Sequence, residues 1–205
     1  TVTHTAINAS DGSINLNGTG TINYTGLEPV FIVVEMQNIN FEFNGGNETI
    51  TVDDNGTSND GLSSIDSDQG EQVIFQNPNQ NLNIDANAGN DTINVNGSDT
   101  GLASDVTITG QNDLTVSDVN LQNSGVTIQS TGGSVTAGDI TAGDVTTTAQ
   151  DNLNAGNVNA SGSVQQTSNT GSVTTGSVEA DGSVTQTAQG SVNTGSVAAG
   201  NDVSQ

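Results

Sequence analysis

Lysine, arginine and cysteine are all absent from this chain of 205 residues, which carries 23 acidic residues, one histidine and a formal net charge of −23. In ordinary proteins about a quarter of the residues are charged, with both signs present, so the loss of the whole positive half is extreme. Without lysine or arginine the chain has no means of neutralising phosphates or anionic lipids, so we expect no nucleic-acid partner. The same absence argues against a lysine-dependent phosphate loop and against Schiff-base enzymes.

Long apolar runs are also missing. The longest extends from Pro29 to Val34 and is interrupted by Glu35, whereas a membrane helix needs roughly 20 apolar residues. We therefore expect no direct membrane insertion. The lack of cysteine excludes a disulfide framework, and the lack of every trypsin-type cleavage site suits a secreted protein. Thr1 stands where a methionine would begin a new chain, so we expect a processed chain or part of a longer one.

Branched aliphatic residues recur in three columns across residues 131–205, with 18 to 20 residues between successive members of a column. This spacing fits neither an amphipathic helix nor a coiled coil. It predicts three short strands per repeat, stacked about 4.8 Å apart so that each column points inward, which is a regular β-solenoid. We expect glycine to supply left-handed backbone conformations at the corners. The columns are Val135, Leu153, Val173 and Val192; Ile140, Val158, Val178 and Val197; and Val145, Val164, Val184 and Val203.

Residues 1–130 differ because they contain all four phenylalanines and the only tyrosine. Apolar and polar residues alternate here in short segments, which is typical of half-buried strands in an all-β region. The phrase at residues 44–52 is echoed at residues 87–95. We expect either wider solenoid rungs or a small β cap on the solenoid, and the echo favours wider rungs. Asn-Gly pairs predict tight turns at Asn17, Asn44, Asn55 and Asn96.

Several sequence segments resemble repeats of known surface proteins. Residues 18–30, 77–95 and 106–110 resemble repeat units of very large secreted bacterial proteins called β-strand-repeat proteins. Residues 135–205 are similar to the passenger repeats of haemagglutinin-like and autotransporter adhesins. These resemblances imply a right-handed parallel β-helix at the cell surface or in the extracellular matrix.

Two groups of oxygen-bearing side chains are candidate calcium ligands. Asn90 and Asp91 lie in a phrase that resembles one copy of a calcium-binding nonapeptide repeat, although two consecutive copies share each ion in such repeats. Asp53, Asp54 and Asp60 form the second group, because Ca²⁺ takes roughly six to eight oxygen ligands. The alternatives are a turn followed by a strand for the first group and a solvated acidic loop for the second.

The sequence predicts a non-enzymatic protein. His4 is the only histidine, and we expect it at the surface near a frayed terminus. Nothing places serine, histidine and an acid together, and the local nucleophile motif is missing. The β-helix enzymes that act on polysaccharides resemble one another in using lysine, arginine or histidine around the substrate, and the first two are absent here.

The leading interpretation is a rigid β-solenoid scaffold that self-assembles end to end or laterally, because an open solenoid end presents unpaired strand edges. Its partners would be further copies of itself or the rest of a longer parent chain. The alternative is an adhesin stalk that binds glycans or surfaces through one face, although aromatic residues are absent after Phe75. Ice binding is a third class, since residues 107–109 and 185–187 read Thr-x-Thr, but Gln165 interrupts the array.

Overall fold

The computed structural model describes residues 1–43, 46–96 and 102–205, and these ranges contain 24 strands and no helix. The predicted all-β fold is confirmed. No described segment is a helix that could cross a membrane. The predicted turn at residues 44–45 and the glycine of the one at residues 96–97 lie outside the described residues.

Short strands make up the first half of the chain. They are β1 (Val2–Asn8), β2 (Asp11–Asn15), β3 (Thr21–Thr25), β4 (Val30–Ile32), β5 (Asn38–Glu42), β6 (Thr49–Asp54), β7 (Leu62–Ser67), β8 (Val73–Gln76), β9 (Asn81–Asp85) and β10 (Asp91–Val95).

The second half repeats a more regular pattern of strands. They are β11 (Asp105–Gly110), β12 (Leu114–Val116), β13 (Val119–Asn120), β14 (Val126–Ser130), β15 (Val135–Ala137), β16 (Ile140–Ala142), β17 (Val145–Ala149), β18 (Leu153–Ala155), β19 (Val158–Ala160), β20 (Val164–Ser168), β21 (Val173–Ala180), β22 (Val184–Ala188), β23 (Val192–Ala199) and β24 (Val203–Ser204).

One parallel stack, which we call face A, runs through the whole described chain. It is formed by β1, β5, β9, β11, β14, β17, β20, β22 and β24, in that order. Ile39 pairs with Leu82, 43 positions later, whereas Val145 pairs with Val164, 19 positions later. The wider rungs expected in the first half are therefore present. Strand pairing continues without interruption past residue 130.

Two narrower faces complete each rung of the second half. Face B stacks β6, β10, β12, β15, β18 and the first parts of β21 and β23. Face C stacks β13, β16, β19 and the last parts of β21 and β23. Each rung thus has three strands, as the three aliphatic columns predict, and Val145, Leu153 and Val158 begin the strands of one rung with side chains buried in the core.

The first rungs are wide because they contain antiparallel strands. β2 pairs with β1 and β3 with β2, which extends face A. β7 pairs with β6 and β8 with β7, and β4 lies parallel to β8, which extends face B. Phe41, Phe43 and Phe75 are buried in the core here, with the ring centroids of Phe41 and Phe75 5.0 Å apart. The sequence left wider rungs and a β cap as alternatives. In the structure the wide first rungs, with their antiparallel extensions, themselves form the cap.

Corner residues in the regular rungs hydrogen-bond to the next rung through their side chains. At the corner between faces B and C, Asp118 Oδ1 accepts the N–H of Asp139 at 2.9 Å, and Asp139 Oδ1 accepts that of Asn157 at 2.6 Å. We call these stacked residues the corner ladders. The other corners use the pairs Asn90–Asp113, Asp113–Ser134, Asn152–Ser172 and Ser172–Ser191, and the pairs Asp105–Gly125, Asp144–Ser163 and Ser163–Ser183.

Corner glycines make room for these ladders. A Cβ on Gly138 would overlap Asp118 Oδ1 of the preceding rung, and one on Gly162 would overlap Asp144 Oδ1. Neither glycine has a left-handed φ, so our expectation that left-handed backbone turns the regular corners is wrong. Among the described glycines, left-handed φ values are confined to the first half of the chain, as at Gly18 with a φ of 83°.

We predict that Gly138→Ala destabilises the solenoid, because the added methyl group must displace the Asp118 side chain from its hydrogen bond. Overpacking of this kind costs about 1–3 kcal/mol. Gly46→Ala is the control, because a Cβ there meets nothing within 4 Å and the φ is not left-handed. Urea unfolding followed by circular dichroism measures both variants, and equal midpoints for the two would contradict the close approach at the corner.

Candidate functional site

The second predicted calcium group lies in one hairpin. Asp53 and Asp54 end β6, and Asp60 lies in the loop before β7. Their carboxylates accept hydrogen bonds within this hairpin, as is usual for aspartates in polar turns. Asp53 accepts the N–H of Asp54, Asp54 that of Gly56 and Asp60 that of Leu62, each at 2.9 Å, and the Asn55 amide donates to Asp60 at 3.0 Å.

The first predicted group lies beside the opposite end of β6. Asn90 and Asp91 stand where β10 begins, and β10 runs parallel to β6 with Thr92 opposite Thr49. About five residues of strand, or roughly 16 Å, separate this end from Asp53. The two groups are therefore not brought together. Asn90 belongs to a corner ladder, since its N–H donates to Asn47 Oδ1 at 3.0 Å.

Asp91 is a buried carboxyl, with an exposed fraction of 2 %. Its Oδ1 accepts the N–H of Glu48 at 2.9 Å, whereas its Oδ2 has no hydrogen-bond partner among the described residues. Burial raises the pKa of Asp91; the Glu48 hydrogen bond opposes this rise, and the negative charge of Asp68 adds to it. Since the chain has no lysine or arginine, a proton or a bound cation is what could offset this charge.

Within the described ranges, no three histidine, cysteine, aspartate or glutamate side chains converge in a way that could hold a metal ion. Calcium binding at Asp53, Asp54, Asp60, Asn90 and Asp91 therefore stays a prediction that rests on the types of these residues.

A buried polar cluster in the cap was missed from sequence. His4 Nε2 lies 2.7 Å from Glu71 Oε1 and 2.6 Å from Tyr24 Oη. His4 and Glu71 each have an exposed fraction of 1 %, so the expectation of a surface His4 is wrong. The alternation of β1 contained the signal: Val2 and Ala6 point inward, and His4 shares their side of the strand.

The His4 cluster connects the two extensions of the cap. His4 lies on β1 of face A and Tyr24 on β3 of its extension, whereas Glu71 lies two residues before β8 in the extension of face B. His4 also packs against Phe41, its register partner, with ring centroids 5.7 Å apart. The only basic side chain of the protein thus lies beside a buried carboxylate, and an imidazole protonated on Nε2 donates to it.

The outer surface of face A is two residues wide in the regular rungs. One column contains Thr107, Thr127, Thr146, Gln165 and Thr185, and the other contains Thr109, Gln129, Thr148, Thr167 and Thr187. Each threonine column is thus interrupted once by glutamine. Gln165 is the interruption predicted from sequence, and the register adds Gln129.

Comparisons with protein-family models, curated proteins and solved structures found no match to this chain. The stacked rungs are consistent with β-repeat proteins, while the link to secreted bacterial adhesins remains a resemblance.

We predict that Glu71→Leu strongly destabilises the cap, because it removes the carboxylate beside the buried His4 and leaves Nε2 only the Tyr24 hydroxyl. Removing one partner of a buried pair costs about 3–5 kcal/mol. The double variant His4→Leu/Glu71→Leu should recover much of this loss, since neither polar group is then buried alone. Glu35→Gln, at an exposed acid, is the control. Thermal unfolding measures all three, and a double variant less stable than Glu71→Leu would contradict the coupling of His4 to Glu71.

We predict a pH-dependent stabilisation by Asp91→Asn. Because the folded-state pKa of Asp91 is raised above the ordinary value of 3.8, the stability that Asp91 contributes is present below that value and is lost as the pH rises through the folded-state pKa. An asparagine amide at this position keeps an acceptor for the Glu48 N–H and carries no charge. The variant should therefore be more stable than the wild type at about pH 7, and this advantage should disappear at about pH 3. Urea midpoints at both values measure it, and a pH-independent difference would contradict it.

Proposed function

We propose that this chain is a non-enzymatic structural segment: a rigid β-solenoid rod of a secreted protein at the cell surface or in the extracellular matrix. The observation that carries the proposal is the continuous strand pairing of face A. Each of its strands, from β1 to β24, pairs with the face A strand of the next rung. Nine strands spaced about 4.8 Å apart give a stack roughly 38 Å long. Such a stack is suited to act as a spacer or support for other parts of a surface or matrix protein.

The use of side chains in the regular rungs supports a structural role. Inward aliphatic residues pack against their counterparts in neighbouring rungs, and corner residues such as Asp118 and Asp144 accept backbone N–H groups from the next rung. The inward and corner side chains of the regular rungs therefore hold neighbouring rungs together.

Composition supports a location outside the cell. A chain without lysine or arginine offers no site to trypsin-like proteases, and a rod of charge −23 repels further copies of itself. Divalent cations would relieve that repulsion. We propose Ca²⁺ as the cation and the hairpin loop with Asp53, Asp54 and Asp60 as one place where it acts.

Assembly with further copies, or with the rest of a longer chain, would use strand edges. β3 and β4 are the outermost strands of the two extensions, and each has one edge unpaired within the described chain. Ile22 on β3 and Phe31 on β4 are 55 % and 62 % exposed. Apolar side chains next to open edges favour pairing with another strand.

Electron microscopy and sedimentation of the purified chain, with Ca²⁺ and with a chelator, test self-assembly. We expect filaments or sheets with Ca²⁺, and their loss in chelator and in the variant Asp53→Asn/Asp54→Asn/Asp60→Asn. The control Glu179→Gln/Asp181→Asn/Asp202→Asn removes the same charge from exposed positions elsewhere. Isolated short rods in every condition would contradict self-assembly and favour the adhesin stalk.

Antibodies against the chain test the location. Labelling of intact cells of the source organism, or of the matrix around them, is the expected result. Labelling that requires permeabilised cells would contradict an extracellular role.

A further inference from the structure

The second inward column of face A changes from apolar to polar along the stack. Isoleucine occupies it in β11 and β14, and polar residues occupy it from β17 onward. Thr147 and Gln166 have exposed fractions of 0 %, and Gln186 has one of 1 %. In order the column contains Ile108, Ile128, Thr147, Gln166, Gln186 and Gln205.

The glutamines form a directed chain of hydrogen bonds. Gln205 Nε2 donates to Gln186 Oε1, and Gln186 Nε2 donates to Gln166 Oε1, both at 2.6 Å. The hydroxyl groups of Thr175 and Thr194 also donate to Gln166 Oε1 and Gln186 Oε1, at 3.0 and 2.8 Å. Each of these two carbonyl oxygens therefore accepts at least two hydrogen bonds inside the core.

This series of hydrogen bonds ends at two buried atoms that lack partners within the described part of the protein. Gln166 Nε2 and Thr147 Oγ1 are both fully enclosed and make no hydrogen bond to any residue that the structure describes. Thr147 pairs in register with Gln166, so the two side chains are neighbours in adjacent rungs. The next residue in the column, Ile128, has no polar side-chain atom to offer. Leaving a buried polar atom unpaired costs about 1–3 kcal/mol.

We infer that an internal water molecule binds between Thr147 and Gln166. Water accepts from the Gln166 amide and either donates to or accepts from the Thr147 hydroxyl, so it satisfies both atoms. The assignment does not depend on the direction of the amide chain. If every glutamine amide were flipped, Gln166 would present Oε1 to Thr147, and the same water would donate to it.

The hydrated column reinforces the register that the aliphatic columns set. Val145 stacks on Val164 and Val164 on Val184, and a slip of two residues would separate them. The same slip between β17 and β20 would place Gln166 against Val145 or Ala149, so that its Nε2 would face an apolar side chain. Buried polar residues of this kind fix the register at some expense of stability.

Nuclear magnetic resonance and one isosteric substitution test the inference. The Gln166 side-chain amide should show a nuclear Overhauser cross-peak to a long-lived water molecule. Thr147→Val should raise the unfolding equilibrium constant by about fivefold or more, because the buried water that serves the Gln166 amide loses its second partner. Thr146→Val, on the outer surface of the same strand, is the control and should change little.

An unhydrated core predicts the opposite sign, since Thr147→Val would then remove an unpaired buried hydroxyl and stabilise the fold. A stabilised Thr147→Val variant would overturn the inference. So would the absence of the water cross-peak in the wild-type protein, whatever the stability of the variant.

Discussion

Hydrogen bonding between parallel strands in one fixed register is the constraint on which the rest of this structure depends. Each rung buries too few aliphatic side chains to be stable alone, so its order comes from the rungs on either side. The corner ladders apply the same rule to the turns, where strand pairing stops. Asp118 and Asp144 reach into the next rung, and Gly138 and Gly162 leave room for them.

The absence of basic side chains determines how the acidic ones are used. With no lysine or arginine as a partner, aspartates at the corners accept backbone N–H groups, which stabilise a carboxylate without a countercharge. In the cap the only histidine contacts the buried Glu71, and Asp91 is buried with one oxygen unpaired. Backbone N–H groups therefore stabilise the corner carboxylates locally. The net charge of −23 is screened only by ions in the surrounding solution.

Periodicity allowed much of the solenoid to be predicted. The three aliphatic columns predicted three strands per rung, and the echo between residues 44–52 and 87–95 favoured the wider rungs in which Ile50 pairs with Ile93. The antiparallel strands of the cap could not be found this way, because alternation is the same for both strand directions. The corner glycines were assigned the wrong role, since sequence shows composition but not the side chain of the preceding rung.

The candidate sites were harder to predict because they depend on neighbours that are far away in sequence. Asp91 and Asp53 belong to groups that are equivalent by composition, yet one is buried at a corner and the other lies in a hairpin loop. His4 meets Glu71 only because two extensions pack together. The glutamines of the core look like surface residues until the register of face A places them inward.

Cross-linking tests the stacking register most directly, because the chain has no cysteine of its own. Thr146 and Gln165 are register partners on the outer surface of face A, and Cα atoms about 4.8 Å apart lie within the range of a disulfide. Oxidation of Thr146→Cys/Gln165→Cys should give an intramolecular disulfide, whereas Thr146→Cys/Thr167→Cys, two residues out of register, should not. Equal cross-linking of both pairs, or cross-linking of the second alone, would contradict the stacked register.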